Sequence, residues 1–198
     1  MRARMALAHA NITVEFREIL LSERPDQLYS ASPKGTVPVL QLSEGTVIDE
    51  SFDIMKWCLE QVKTDWLDIN FGDQLSVIKV NDEDFKSWLN KYKYHQRHPE
   101  QSVDFYQEKC VKILLEHEET LSNKLFLFGE KPQVADVAIF PLVRQFAHVD
   151  LSFFTKKLPH LNRWLETWKE SKLFQSIMKK YDKWEPNQTP LIVTFNNE

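Results

Sequence analysis

An α/β domain followed by an all-helical domain is the architecture this 198-residue sequence predicts, and three observations carry it. Ile12, Val14 and Phe16 alternate with Thr13, Glu15 and Arg17, the period of a half-buried strand. Residues 37–42 and 46–48 flank Ser43-Glu44-Gly45 and read as a hairpin with glycine where a positive φ is needed. From about Gly72 onward the apolar spacing is helical almost throughout.

Taken in order, Met1, Met5 and Ala8, with Leu7 between them, fit one face of a first helix. The strand at 12–16 and the hairpin follow. Ser51 then opens an amphipathic helix through Phe52, Ile54, Met55, Cys58, Leu59 and Val62. Residues 66–72 read as the linker, which sets the domains at 1–65 and 73–198. In the second, 74–98 and 103–121 are expected as long helices separated by Pro99, followed by helices at 136–148, 159–169 and 173–180. The last stretch, "TPLIVTFNNE", has the alternation of a strand yet stands alone after the helices. It is expected to be an ordered tail packed on the surface.

Composition narrows the function. A hydrophobic content of 42% supports a packed core rather than extended disorder. Twenty-five basic against 29 acidic residues give a net charge of −4, which argues against a nucleic-acid footprint. No apolar run reaches membrane length, and residues 1–10 lack the core of a secretory signal. Cys58 and Cys110, both in helical patterns, point to a reducing cytoplasm.

Two stretches carry chemistry. Pro38 interrupts a strand and removes a ladder donor, so it needs a reason. A cis Val37–Pro38 bond is one, leaving Val37 to offer its own N–H and C=O to a peptide ligand. Glu50-Ser51 stands where strand gives way to helix, and free helix N–H groups with a hydroxyl suit a carboxylate while Glu50 suits an ammonium. The plainer reading makes Ser51 an N-cap and Glu50 a charge favoured by the helix dipole. His95, His98 and Cys110 lack the spacing of a structural zinc site, so no metal is expected. Cys58, Trp164 and Trp168 read as core. Trp88, Tyr92 and His95 are candidate walls of a pocket for a second substrate.

Longer stretches resemble the cytosolic glutathione transferase family along essentially the whole chain. "SPKGTVPVLQLSEGTVIDES" is similar to its loop, cis-proline strand, hairpin and Glu-Ser turn, and "RPDQLYSASPKG" to the helix before them. "FLFGEKPQVADVAIFPLV" resembles the Gly-x-x-Pro-x-x-Ala-Asp signature that leads the family's core helix, and "LPHLNRWLETWKESKLFQSI" the helix pair after it. The resemblance implies a thioredoxin-like N-terminal domain, a helical C-terminal domain, a homodimer, and glutathione as substrate beside an electrophile or disulfide. It implies that Val37, ahead of cis Pro38, pairs with the cysteinyl unit, that Glu50 and Ser51 hold the γ-glutamyl end, and that Arg24 reaches the glycyl carboxylate, as in omega-like members. Lys34 joins them from the rim loop, or is a solvated loop lysine. Asp136 is the buried acid of the core helix, with a folding role. Its expected Ser/Thr partner is Gln133, which casts doubt on the usual capping pair and weakens the cap by roughly 1 kcal/mol.

The same resemblance places the family's first strand and its catalytic Cys-Pro-Tyr/Phe-Ala turn before Met1, so no catalytic residue is assigned. A thioredoxin-like domain without its central strand leaves main-chain groups facing a gap between 12–16 and 37–42. One account is a misassigned start with the turn encoded upstream; the other is a short, non-catalytic protein. Residues 191–195 are an alternative filler for the vacant edge, from within the chain or from a partner. The expected function is glutathione binding for thiol transfer, reduction or conjugation, with little activity in this chain. The alternative is a protein-interaction module of the stringent-starvation type.

Overall fold

The computed structural model describes residues 1–67 and 70–195; part of the linker expected at 66–72 and the end of the tail lie outside them. The chain divides into two compact units, Met1–Lys63 together with the chain from Ser171 onward, and Thr64–Glu170. This corrects the boundary read from the pattern. The last segment returns to the first unit instead of extending the helical one.

The first unit carries α1 (Arg2–His9), β1 (Thr13–Glu15), α2 (Asp26–Ala31), β2 (Leu40–Gln41), β3 (Val47–Ile48) and α3 (Ser51–Glu60). α1 buries Ala3, Met5, Ala6 and Leu7, and packs on α3, which buries Ile54, Met55, Cys58 and Leu59. Their i, i+3 and i+4 spacing puts each set on one face. β2 and β3 form the expected hairpin, Leu40 opposite Ile48, with Gly45 at φ +93°.

The tail is where the structure departs furthest from expectation. It is no surface appendage: β4 (Ile192–Thr194) pairs antiparallel with β1, Thr13 opposite Thr194 and Glu15 opposite Ile192. Of the alternatives expected for residues 191–195, pairing within the chain is the one the structure shows, on β1 alone; β4 makes no ladder to β2 among the described residues. Phe16 and Trp184 donate their N–H groups to Leu191 and Glu18 carbonyls, both at 2.7 Å. The Phe16 ring lies 4.9 Å from Tyr181 and 5.6 Å from Phe195. Arg4 stacks over Phe16 at 4.6 Å while bonding Glu18 at 2.7 Å. Of the apolar alternation that defines the strand, Val193 and Phe195 are buried on the inward face of the sheet, while Leu191 stays exposed. Between unit and strand, the expected helix at 173–180 shortens to α10 (Lys172–Ser176).

The second unit is helical: α4 (Phe71–Val80), α5 (Lys86–Lys93), α6 (Val103–Leu121), α7 (Val134–Ala147), α8 (Leu151–Lys157) and α9 (Pro159–Glu170). The single helix expected over 74–98 is broken by a π turn at Asn81–Phe85. Buried Gln74, Ile78, Asn81, Phe85, Leu89 and Tyr92 keep helical spacing straight through the turn, so periodicity could not show it.

α7 is the core helix, and Asp136 is its hub. The side chain is 0% exposed and accepts three hydrogen bonds: from Leu127 N–H at 3.0 Å, Gln133 N–H at 3.0 Å and Trp164 Nε1 at 2.9 Å. The expected capping pair is half kept: Gln133 is the N-cap and Asp136 Oδ2 takes its N–H, while the Gln133 side chain makes no cap hydrogen bond of its own. A second glutamine completes it, since Gln74 Oε1 accepts the Ala135 N–H at 3.0 Å and Gln74 Nε2 reaches Gln133 Oε1 at 3.4 Å. α6 and α9 cap each other across their ends. Glu118 accepts the N–H groups of His160 and Leu161, and Arg163 donates to the carbonyls of Leu121 and Lys124.

Replacing Asp136 by Asn turns an acceptor into a donor facing buried N–H groups, and is expected to cost about 2–4 kcal/mol in urea denaturation. Burial raises the Asp136 carboxyl to about 6 against three opposing hydrogen bonds. The unfolded chain ionises first, so this group's stabilisation is complete below about pH 4 and shrinks as pH rises through about 6, by about 3 kcal/mol. Denaturation midpoints across that range show this trend as the difference between wild type and Asp136→Asn. Phe195→Ala empties a site 2% exposed and is expected to cost about 3–5 kcal/mol, with faster exchange of the Phe16 amide.

Candidate functional site

Five of the six residues singled out for ligand binding gather in the first unit, on the loop 32–38 and the β3–α3 junction. The loop begins with Ser32-Pro33-Lys34-Gly35, in which Gly35 donates its N–H to the Ser32 carbonyl at 2.9 Å. Proline presets the second position of such a turn, and Gly35 takes φ +58°, where a side chain is strained. Added to Gly35, a Cβ would sit 2.4 Å from the Tyr29 ring.

Ser32 ties this loop to the end of the hairpin. It is 1% exposed, and its Oγ donates to Asp49 Oδ2 at 2.8 Å. That tether carries Lys34 onto two carboxylates, Glu50 Oε1 at 2.8 Å and Asp49 Oδ2 at 3.5 Å. The hydrogen bond to Glu50, then the charge of Asp49, raises the Lys34 ammonium above its usual value. The Ser32 hydroxyl, with Lys34 behind it, lowers the Asp49 carboxyl.

Past Gly35 the chain reaches Val37–Pro38, whose peptide bond is cis. Val37 is 47% exposed, and neither its N–H nor its C=O has a partner among the described residues. Pro38 precedes β2 and so costs the ladder nothing. The plainer reading of the Glu-Ser pair is corrected here: Glu50 is the N-cap and Ser51 the first helical residue, and no side chain caps α3. The first free N–H groups, on Ser51, Phe52 and Asp53, therefore stand unclaimed beside the Ser51 hydroxyl. A backbone donor and acceptor, an anion-seeking helix end and a carboxylate are thus set around one loop. This set can hold the main chain of a small peptide and the carboxylate and ammonium of an amino acid.

Arg24 stands exposed before α2, with no hydrogen bond or ion pair to the other five among the described residues. Asp49 is what sequence reasoning missed; it lies in the quoted "IDES" run, but nothing in its spacing marks it as the anchor of Ser32. Of the candidate walls of a second pocket, one is covered. Tyr92 is buried against Phe146 with its hydroxyl accepting from Gln107, and Trp88 packs edge-on against Phe105. Cys58 and Cys110 are fully buried, and burial pushes both thiols up to about 12. No group of three metal-ligating side chains occurs among the described residues, and no single helix there is long and apolar enough to cross a membrane.

Comparison with known proteins matches residues 1–61 to the glutathione S-transferase N-terminal domain and 100–167 to the glutathione S-transferase C-terminal domain. No curated protein sequence matches. Solved structures similar to the chain include a glutathione S-transferase from Xanthobacter autotrophicus Py2, 19% identical, covering 86% of this chain and 87% of its own with a TM-score of 0.70. Glutathione S-transferase-I bound with lactoylglutathione is 21% identical over 89% and 91%, TM-score 0.72. The glutathione transferase URE2P6 from Phanerochaete chrysosporium, in complex with oxidised glutathione, is 18% identical over 89% and 88%, TM-score 0.73. These likenesses establish the fold, a thioredoxin-like domain with a small sheet and an all-helical domain.

Gly35→Ala is expected to lower stability by about 1–2 kcal/mol from the positive φ alone, read by thermal or chemical denaturation. Combining it with Tyr29→Ala removes the clash but leaves that backbone cost.

Proposed function

Since this chain belongs to the glutathione S-transferase family, we propose that its first unit binds glutathione at the loop 32–38 and the start of α3. The observation that carries the reading is the unmatched backbone of Val37 beside an uncapped helix end flanked by Glu50 and Ser51. Val37 pairs with the cysteinyl unit through its N–H and C=O, ahead of Pro38. The γ-glutamyl carboxylate takes the Ser51 hydroxyl and the helix N–H groups, and its ammonium takes Glu50. Lys34 yields Glu50 to that ammonium and offers its own to the tripeptide's far carboxylate, with exposed Arg24 as a second cation for that end. Two of the structures similar to the chain hold glutathione derivatives, lactoylglutathione and oxidised glutathione.

Thiol transfer, reduction or conjugation to an electrophile or disulfide is the chemistry proposed, in a cytoplasmic homodimer of omega-like character. Glutathione is the substrate in that reading. Activating its sulfur calls for a low-pKa thiol or a hydroxyl at the cysteinyl unit. Neither Cys58 nor Cys110 supplies one, being buried and protonated at neutral pH. The chain therefore binds glutathione and catalyses little. The same two thiols favour a second reading, a non-catalytic protein-interaction module on this fold.

Isothermal titration with reduced glutathione tests both. Saturable binding is expected, weakened about tenfold or more by Glu50→Ala and less by Ser51→Ala, as the loss of charge-assisted hydrogen bonds predicts. No heat on titration leaves the interaction module. Rapid thiol-transferase turnover by the purified chain contradicts the low activity.

A further inference from the structure

The ladder that closes the first unit leaves one edge open. Phe16 N–H bonds the Leu191 carbonyl in the register that sets Val14 opposite Val193. In an antiparallel pair this phase makes Val14 and Val193 exchange bonds and turns the N–H and C=O of Ile192 and Thr194 away from β1. β4 has no second strand beside it, and none of those four atoms has a partner among the described residues. Natural sheets blunt such edges with charge, proline or a bulge within the strand. The run Leu191-Ile192-Val193-Thr194-Phe195 contains no charge and no proline, and Ile192 is 63% exposed.

Beside this edge runs a groove of about 540 Å³, bounded by β4 and by Gln175, Met178, Lys179 and Tyr181. Its size falls within the range of ordinary ligand sites. Val193 and Phe195 are buried on the inward face of the sheet. A strand laid along β4 would therefore send alternate side chains toward Met178 and Tyr181 and the rest toward solvent. Among the described residues Lys179 is the one charged side chain lining the groove, and no carboxylate there pairs with it. Its ammonium rests 5.6 Å from the Tyr181 ring, and a carboxylate on the incoming strand would complement it.

We propose that the free edge of β4 is a docking site for an extended acidic peptide segment of another protein. The segment adds as a third strand, bonds the outward groups of Ile192 and Thr194, and sets a carboxylate against Lys179. β4 already accepts one such sequence on its other side, Ile12-Thr13-Val14-Glu15-Phe16, which alternates apolar and polar residues and carries one glutamate.

The probe is the labelled peptide acetyl-Ile-Thr-Val-Glu-Phe-amide, titrated into the full chain by fluorescence anisotropy. Saturable binding is expected, absent for the same peptide N-methylated throughout, a control that leaves the protein untouched. Ile192→Pro removes an outward N–H and spares the bonds to β1 made through Leu191 and Val193; it is expected to weaken binding about tenfold. Lys179→Glu is expected to weaken it about threefold. Equal binding of the methylated peptide, or full affinity in Ile192→Pro, overturns the proposal. So does a dimer in light scattering that Ile192→Pro converts to monomer, because a second copy then occupies the edge.

Discussion

The pairing of β1 with β4 joins residues 181 apart in sequence, and the first unit is organised around it. Closing a loop of that length costs about 5 kcal/mol of chain entropy. Three strand residues on each side cannot meet such a cost alone. The contacts that gather around the ladder offset it: the Phe16, Tyr181 and Phe195 rings, the Arg4 stack, the Trp184 and Phe16 backbone bonds, and the ion pair of Lys183 with Glu23 at 2.8 Å. The helices of the intervening unit also shorten the floppy part of the loop once they form. Unit and strand are thus coupled, and residues 1–63 are not a self-sufficient domain.

The ligand-binding loop shows a different economy, in which one partly buried hydrogen bond positions exposed charges. Ser32 to Asp49 is a hydrogen bond shielded from solvent at the serine end, whereas Lys34 to Glu50 is exposed on both sides. Exposed pairs hold little energy, so the geometry of Lys34 and Glu50 rests on the Ser32 tether and on the glycine turn rather than on their own attraction. Glu50 is consequently presented without being locked. Its partner is a flexible lysine that an incoming ammonium can displace at small cost.

How much of this was legible follows from sequence separation. The hairpin, the helix opening at Ser51 and the cis proline are local, and each leaves a mark within a few residues: Gly45, the run Ile54-Met55-Cys58, and Pro38 in a strand. Asp136 was recognisable from the Gly129-to-Asp136 signature. The failures are long-range. Nothing near Leu191 names Thr13 as its neighbour, and nothing near Gln133 names Gln74, 59 residues away. The π turn escaped because Ile78, Phe85 and Leu89 keep their spacing across it. Tyr92 looked like a wall of a pocket because helical position gives its direction but not what covers it.

The ladder also sets a timetable for synthesis. β4 leaves the ribosome about 180 residues after β1, which at ordinary elongation rates is roughly ten to forty seconds. Throughout that interval the nascent chain holds β1 without its ladder partner, while α1 can already pack on α3 and the helices of the second unit, built on local contacts, are free to form. The polypeptide therefore completes its first-made domain last. The protein's own late strand is what finally covers the early one.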